Sequence, residues 1–215
     1  MRAALFDMDR TLVRKETLSL YVRYQRSIGE ATRRDLLRVL YWVTQYTMGM
    51  IDAPEVATRA LRVLEGTPEA AMAARCDDWF RRYVETHVCD LGRRAVEHHR
   101  ERGDLLAIVT GASPYVARPV ARIVGIPHVV ASELEVRDGR FTGRPSPPLC
   151  YAEGKIVRAT RLAEAHGFTL ADATFYSDSF TDLPLLAAVG EAIAVNPDPR
   201  LAREARRRKW RVERW

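Results

Sequence analysis

Short apolar runs that stop abruptly at a carboxylate or a hydroxyl recur along this chain. Ala3-Ala4-Leu5-Phe6 stops at Asp7, Leu105-Leu106-Ala107-Ile108-Val109 stops at Thr110, and the run from Ala173 to Ser177 stops at Asp178. Runs this short, without polar alternation, read as strands buried on both faces. His128 to Ala131 and Ala192 to Val195 read the same way. After Gly103 the strands alternate with helical stretches: Ser113-Pro114 to Val124, with Ser113 as cap and a bend expected at Pro119; Gly154 to about His166; Leu183 to Val189; and a basic C-terminal helix. Such alternation requires right-handed crossovers and a parallel sheet covered by helices on both sides. Ligands of such sheets bind beyond the carboxyl ends of the strands. Asp7, Thr110 and Asp178 all fall there.

Residues 16–102 have a different character. Apolar residues recur at helical spacing, Gly and Pro are sparse, and four or five helices are expected, with breaks at Ile28-Gly29-Glu30, Ile51 to Pro54 and Gly66-Thr67-Pro68. Thr67 is placed to cap a helix begun by Pro68. His98 and His99 sit in a polar helix end and receive no role. Further on, Glu133 to Val136 and Arg140 to Thr142 flank Arg137-Asp138-Gly139, a hairpin signal.

The formal charge of +6 would by itself nominate an anionic partner. Residues 200–215, however, carry eight Lys or Arg against Glu204 and Glu213, which accounts for the whole excess. The remainder is neutral, so no nucleic-acid or membrane partner is expected. Cys76, Cys89 and Cys150 match neither a zinc site nor a disulfide framework, which suits a reducing compartment. With no leader-like segment and no long apolar span, the cytoplasm is the expected location.

Four short motifs carry the chemistry. In Asp7-Met8-Asp9-Arg10-Thr11, two carboxylates beyond a buried strand repel one another, and a divalent cation would compensate. One carboxylate could then attack phosphorus while the other moves the proton; a solvated turn at a strand end is the plainer reading. Thr110-Gly111-Ala112-Ser113 offers a hydroxyl, a close backbone approach and a helix start, which make an anion cradle or an ordinary capped loop. Lys155 is one of three lysines beside thirty-one arginines, and a compact ammonium fits between a phosphate and a carboxylate where a guanidinium does not. In Asp178-Ser179-Phe180-Thr181-Asp182 the first carboxylate ends a strand; the second either orients a metal-bound water or the lysine, or simply caps the next helix.

The order D-x-D-x-T, Thr-Gly, Lys, D-x-x-x-D resembles the haloacid dehalogenase-like superfamily, in its phosphoserine-phosphatase-like branch. That resemblance implies a Rossmann-like, doubly wound α/β core of residues 1–13 and 103–215 with an inserted all-helical cap of residues 14–102. It makes Asp7 the nucleophile, Asp9 the acid/base, and Thr110, Gly111 and Lys155 phosphate ligands. It implies Mg²⁺ held by the Asp7 carboxylate, the Asp9 carbonyl and Asp178, with Asp182 close by. The implied activity is hydrolysis of a small phosphomonoester through an aspartyl-phosphate, or transfer of the same phosphoryl group to another alcohol. Glu16 stands where phosphoserine phosphatases meet the substrate amine, which suggests phosphoserine or histidinol phosphate; a first-turn Glu is also what the helix dipole favours. Two departures count against phosphoserine itself: Arg10 stands where those phosphatases commonly carry a small residue, and Thr110-Gly111-Ala112 replaces their usual Ser-Gly-Gly; Arg10 either faces the cleft mouth and attracts a second anionic group or is solvated, and the solvated reading is the one expected. Tyr41, Trp42, Tyr46 and Met48, within Leu36 to Met50, would form cap core and in part line the pocket. A rival from another class is an anionic-surface or nucleic-acid binder acting through Arg206 to Arg211 and Trp210.

Overall fold

The computed structural model describes residues 1–30, 32, 34 and 61–215. The stretch from Leu36 to Met50, with Tyr41, Trp42, Tyr46 and Met48, lies outside the described residues. In chain order the elements are β1 (Ala3–Phe6), α1 (Thr17–Ser27), α2 (Glu69–Trp79), α3 (Asp90–Glu101), β2 (Leu105–Val109), α4 (Pro114–Val124), β3 (His128–Val130), β4 (Leu134–Arg137), β5 (Arg140–Pro145), α5 (Glu153–His166), β6 (Ala173–Ser177), α6 (Leu183–Ala188), β7 (Glu191–Val195), α7 (Pro199–Arg208) and β8 (Arg211–Glu213).

Six strands form one parallel sheet in the order β3-β2-β1-β6-β7-β8. The fold is α/β, doubly wound. From β1 the chain builds outward through β2 and β3, then returns to the other side of β1 with β6, so the order reverses between β1 and β6. In open α/β sheets that crevice is where ligands bind. Phe6 is in register with Ile108 on one side and Tyr176 on the other, so Asp7, Thr110 and Asp178 emerge together at the carboxyl edge.

Strand alternation explains the two cores. Ala4, Phe6, Leu106, Ile108, Tyr176 and Ile193 share one cluster with Val96 of α3 and Ala117 and Val120 of α4. Ala3, Leu5, Ala107, Phe175 and Ala194 share the other with Ala159 of α5, Leu185 of α6 and Leu201 of α7. The strands read as continuous apolar runs because both faces are covered. Although α3 lies inside the 14–102 stretch, its Val96 joins the sheet cluster.

Several local expectations are revised. The helix expected to begin at Pro68 begins at Glu69, and the Thr67 carbonyl accepts from the Phe141 amide while the Gly66 amide donates to the Phe141 carbonyl, so the hairpin stitches this segment down. The hairpin turns at Asp138 (φ 50°) and Gly139 (φ 70°), the paired left-handed residues that a two-residue turn demands. Helix α4 runs through Pro119 without a break, and Ser113 precedes it without a side-chain cap. His98 and His99 do lie in the last turn of α3, but His99 is 2% exposed, and its ring bonds Asp104 at 2.8 Å and the Tyr176 hydroxyl at 2.9 Å. A buried imidazole must be partnered, and here a nearby carboxylate and a hydroxyl 77 positions away do it.

The basic C-terminus is also not one helix. α7 ends at Arg208, Lys209 turns left-handed (φ 58°), and Arg211–Glu213 pair with β7 as the sheet's sixth strand. Arg207 and Arg208 pair with Glu204, and Arg208 lies over the Trp210 ring. Part of the local charge is thus spent within the element. Among the described residues no helix is long and apolar enough to cross a membrane.

Candidate active site

Asp7 follows β1 directly, and its amide extends the ladder by donating to the Tyr176 carbonyl at 2.8 Å. Its carboxylate therefore has a fixed origin. The Lys155 ammonium donates to Asp7 Oδ1 and to Asp182 Oδ2, both at 2.7 Å, and is itself 3% exposed. Asp182 Oδ2 also accepts from Ser177 Oγ at 2.6 Å. Asp182 thus does not cap α6 with its side chain; it anchors the lysine.

Lys155 arrives from the first turn of α5 through an unusual entry. Ala152 sits at φ 46°, and a Cβ on Gly154 would stand 1.8 Å from the Leu149 carbonyl oxygen. Only glycine allows the chain to pass this close to itself.

Asp9 is held by the start of α1: Thr17 N–H donates to Oδ1 at 2.8 Å and Thr17 Oγ1 to Oδ2 at 3.1 Å. Thr110, buried at the end of β2, accepts the Ala112 amide on Oγ1 at 3.2 Å, which leaves its own hydroxyl proton to donate. Gly111 beside it is exposed. Arg10 is not simply solvated: its Nε stands 3.4 Å from Asp178 Oδ2, with the side chain 40% exposed.

Crowded, buried carboxylates resist ionisation. Burial pushes Asp7 from an ordinary 3.8 up to about 7, against the pull of Lys155 and with the help of Asp182. Burial likewise pushes Asp9 up to about 7, with Glu16 adding to the rise and the two Thr17 bonds opposing it. Asp178 is held well above the usual carboxylate range by burial and by Asp7, with Arg10 opposing. Glu16 is raised by burial, and it feels both Arg10 and Asp7, which places it beside the same cluster. Burial disfavours the Lys155 charge, yet Asp182 and Asp7 outweigh it and keep the ammonium protonated.

Among the described residues no three His, Cys, Asp or Glu side chains form a closed metal cage. The donor set that does converge is all oxygen: Asp7 and Asp178 beyond adjacent strands, their charges incompletely balanced. Hard oxygen donors with open positions suit Mg²⁺, which keeps waters and ligand oxygens in its shell rather than a full protein cage. Asp182 Oδ2, by contrast, is committed to Lys155 and Ser177.

Parallel strands that end in a carboxylate cluster bridged by a lysine, at the switch point of a doubly wound sheet, define a phosphoryl-type hydrolase class. The chain belongs to the haloacid dehalogenase-like hydrolase family, whose match spans residues 4–187. It is 33% identical to phosphoserine phosphatase SerB1 of Mycobacterium tuberculosis, over 98% of this chain and 70% of that protein. It is 29% identical to a histidinol-phosphatase of Neisseria meningitidis, over 97% and 96% respectively. A solved protein of unknown function from Bordetella pertussis superposes with a TM-score of 0.88 at 33% identity, covering 99% of this chain and 97% of that one. Within the family the chain is phosphoserine-phosphatase-like, and by class it is a phosphoric monoester hydrolase.

Sequence reasoning missed Thr17, Ser177 and the Arg10–Asp178 pair. Thr17 had one readable signal, a hydroxyl opening a helix eight residues after Asp9; Ser177 had none beyond its place before Asp178.

Proposed function

We propose that this chain hydrolyses a small-molecule phosphomonoester through an aspartyl-phosphate on Asp7. The observation that carries the reading is the Lys155 ammonium, set 2.7 Å from both Asp7 and Asp182 in a buried site at the strand ends. Phosphoryl transfer asks mainly for positioning and charge neutralisation, and this cluster supplies both.

An ionised Asp7 oxygen attacks phosphorus, and the ester P–O bond breaks as Asp9 donates its proton to the leaving alcohol oxygen. A carboxyl with a pKa raised to about 7 can hold that proton at neutral pH. Asp9, now ionised, takes a proton from water as the water oxygen attacks the aspartyl-phosphate. Inorganic phosphate leaves and Asp7 is regenerated. Thr17 aims Asp9 for both proton transfers. Lys155 and the hydroxyl proton of Thr110 bind the phosphoryl oxygens, with Gly111 giving room for them, and Asp182 with Ser177 keeps Lys155 in place. Mg²⁺, held by the carboxylates of Asp7 and Asp178 and the Asp9 carbonyl, would offset phosphate charge that otherwise repels Asp7.

The substrate is an amino-bearing phosphomonoester such as phosphoserine or histidinol phosphate, with Glu16 meeting the amine; both relatives' names and the place of Glu16 next to Thr17, which bonds Asp9, support this. The test is turnover of p-nitrophenyl phosphate with Mg²⁺, followed by a panel of phosphorylated metabolites with free phosphate as the readout. Asp7→Asn should abolish turnover. Retained activity in that variant would sink the nucleophile assignment.

A further inference from the structure

Arg10 adopts a left-handed backbone (φ 55°) in the middle of the Asp7–Thr11 loop. This region is rare outside glycine and is populated otherwise mainly by Asn and Asp, so an arginine there has to be held by its surroundings. The Val13 amide closes the loop on the Met8 carbonyl at 2.9 Å, and the Arg10 carbonyl accepts at 3.3 Å from Nδ2 of Asn196, the residue after β7. Asn196 is itself left-handed (φ 43°), a conformation its short amide tolerates. Its other atoms are fixed from the opposite side: Oδ1 accepts the Trp215 amide at 3.0 Å, and its own amide donates to the Glu213 carbonyl at 2.9 Å. The Trp215 ring packs 5.5 Å from the Tyr176 ring and against Gly92 of α3, where an added Cβ would meet it at 3.2 Å. The side chain at position 196 thus connects a braced edge of the sheet to the carbonyl between the two catalytic aspartates and Thr11.

We propose that Asn196 is a positioning residue of the active site: through its side-chain amide, anchored by the β8–Trp215 segment, it holds the left-handed turn at Arg10 and so sets the Asp7–Asp9 loop. The proposal rests on the phosphatase reading only for its kinetic arm. A merely structural asparagine would pin β8 and leave the loop indifferent. A positioning one couples to the backbone strain at residue 10 in particular.

The experiment is a double-mutant cycle with hydrogen-exchange mass spectrometry as its first readout. Asn196→Asp keeps the acceptor for Trp215 and the tolerance for left-handed φ but loses the donor to Arg10; Asn196→Ala provides an uncharged second variant. In each, peptides spanning residues 7–13 should exchange about tenfold faster, and kcat for p-nitrophenyl phosphate should fall about tenfold with KM within about twofold, the scale of a misplaced catalytic group. In the Arg10→Gly background, where the turn is unstrained, adding either Asn196 substitution should change loop exchange by less than about twofold. Equal acceleration in both backgrounds, or no acceleration in the Arg10 background, overturns the proposal. If the unsubstituted protein turns over no phosphate ester, the phosphatase reading fails while the exchange arm still decides the role of Asn196.

Discussion

Replacing Lys155 by Met keeps most of the buried stem and removes the charge that two carboxylates share. Breaking a buried, hydrogen-bonded ion pair typically costs about 3–5 kcal/mol, because the remaining charge has lost its partner without regaining water. Here Asp7 and Asp182 both lie within 2.7 Å of the ammonium and all three side chains are buried, so the full range applies at high pH. The pH dependence follows from Asp7. Its folded pKa is already raised to about 7, far above 3.8, so the folded state binds more protons than the unfolded chain between those values and loses stability as pH rises through them. Without Lys155 the folded pKa goes higher still. Below pH 7 Asp7 is protonated in both proteins and adds nothing to the difference between them; above pH 7 only the parent has finished titrating. The gap should therefore widen by about 1.4 kcal/mol per pH unit, or about 2.7 kcal/mol from pH 7 to pH 9. Urea unfolding of both proteins at pH 6, 7, 8 and 9, without divalent cation, measures this directly. A gap that stays constant from pH 6 to 9, or one below about 1 kcal/mol at pH 9, would refute the reasoning that Asp7 is the charge Lys155 balances.

Two further outcomes are expected. On the proposed mechanism the alkaline limb of kcat/KM should bend near pH 7, where Asp9, the proposed acid, whose pKa burial pushes up to about 7, loses its proton; Thr17→Val, which removes a hydrogen bond that lowers the Asp9 pKa, should move that limb to higher pH, and an unmoved limb would argue against Asp9 as the acid. Gly154→Ala forces a Cβ to within 1.8 Å of the Leu149 carbonyl, so it should cost about 1–3 kcal/mol in thermal unfolding and reduce kcat because Lys155, the next residue, is displaced with the helix start; an undisturbed variant would contradict the close passage.

Much of the architecture was legible because its signals are local. Continuous apolar runs announce strands covered on both faces, the Asp138-Gly139 pair announces a hairpin, and the rule that ligands gather at carboxyl ends of parallel strands picks out Asp7, Thr110 and Asp178. The misreadings share a cause. His99 lies among charged neighbours in sequence, but helix geometry turns it inward to Asp104 and Tyr176, the latter 77 positions away. Arg211–Glu213 reads as part of a basic C-terminal helix, yet the edge of β7 recruits it as a strand. Propensity cannot anticipate either, because in both cases a tertiary partner overrides it.

The same division runs through the site. The sequence by itself determined the inventory: carboxylates two residues apart after the first strand, a hydroxyl after the second, a rare lysine opening a helix, and a D-x-x-x-D after the strand that follows it. Tertiary structure alone decided the pairings. Lys155 reaches Asp7 across 148 positions, Asp182 gives an oxygen to that lysine, Arg10 faces Asp178, and Asn196 holds the Arg10 carbonyl across 186 positions. Strand ends follow from local patterns of side-chain burial, whereas which ammonium meets which carboxylate depends on how the sheet orders its strands and how each loop enters the next helix. That arrangement exists only once the chain has folded.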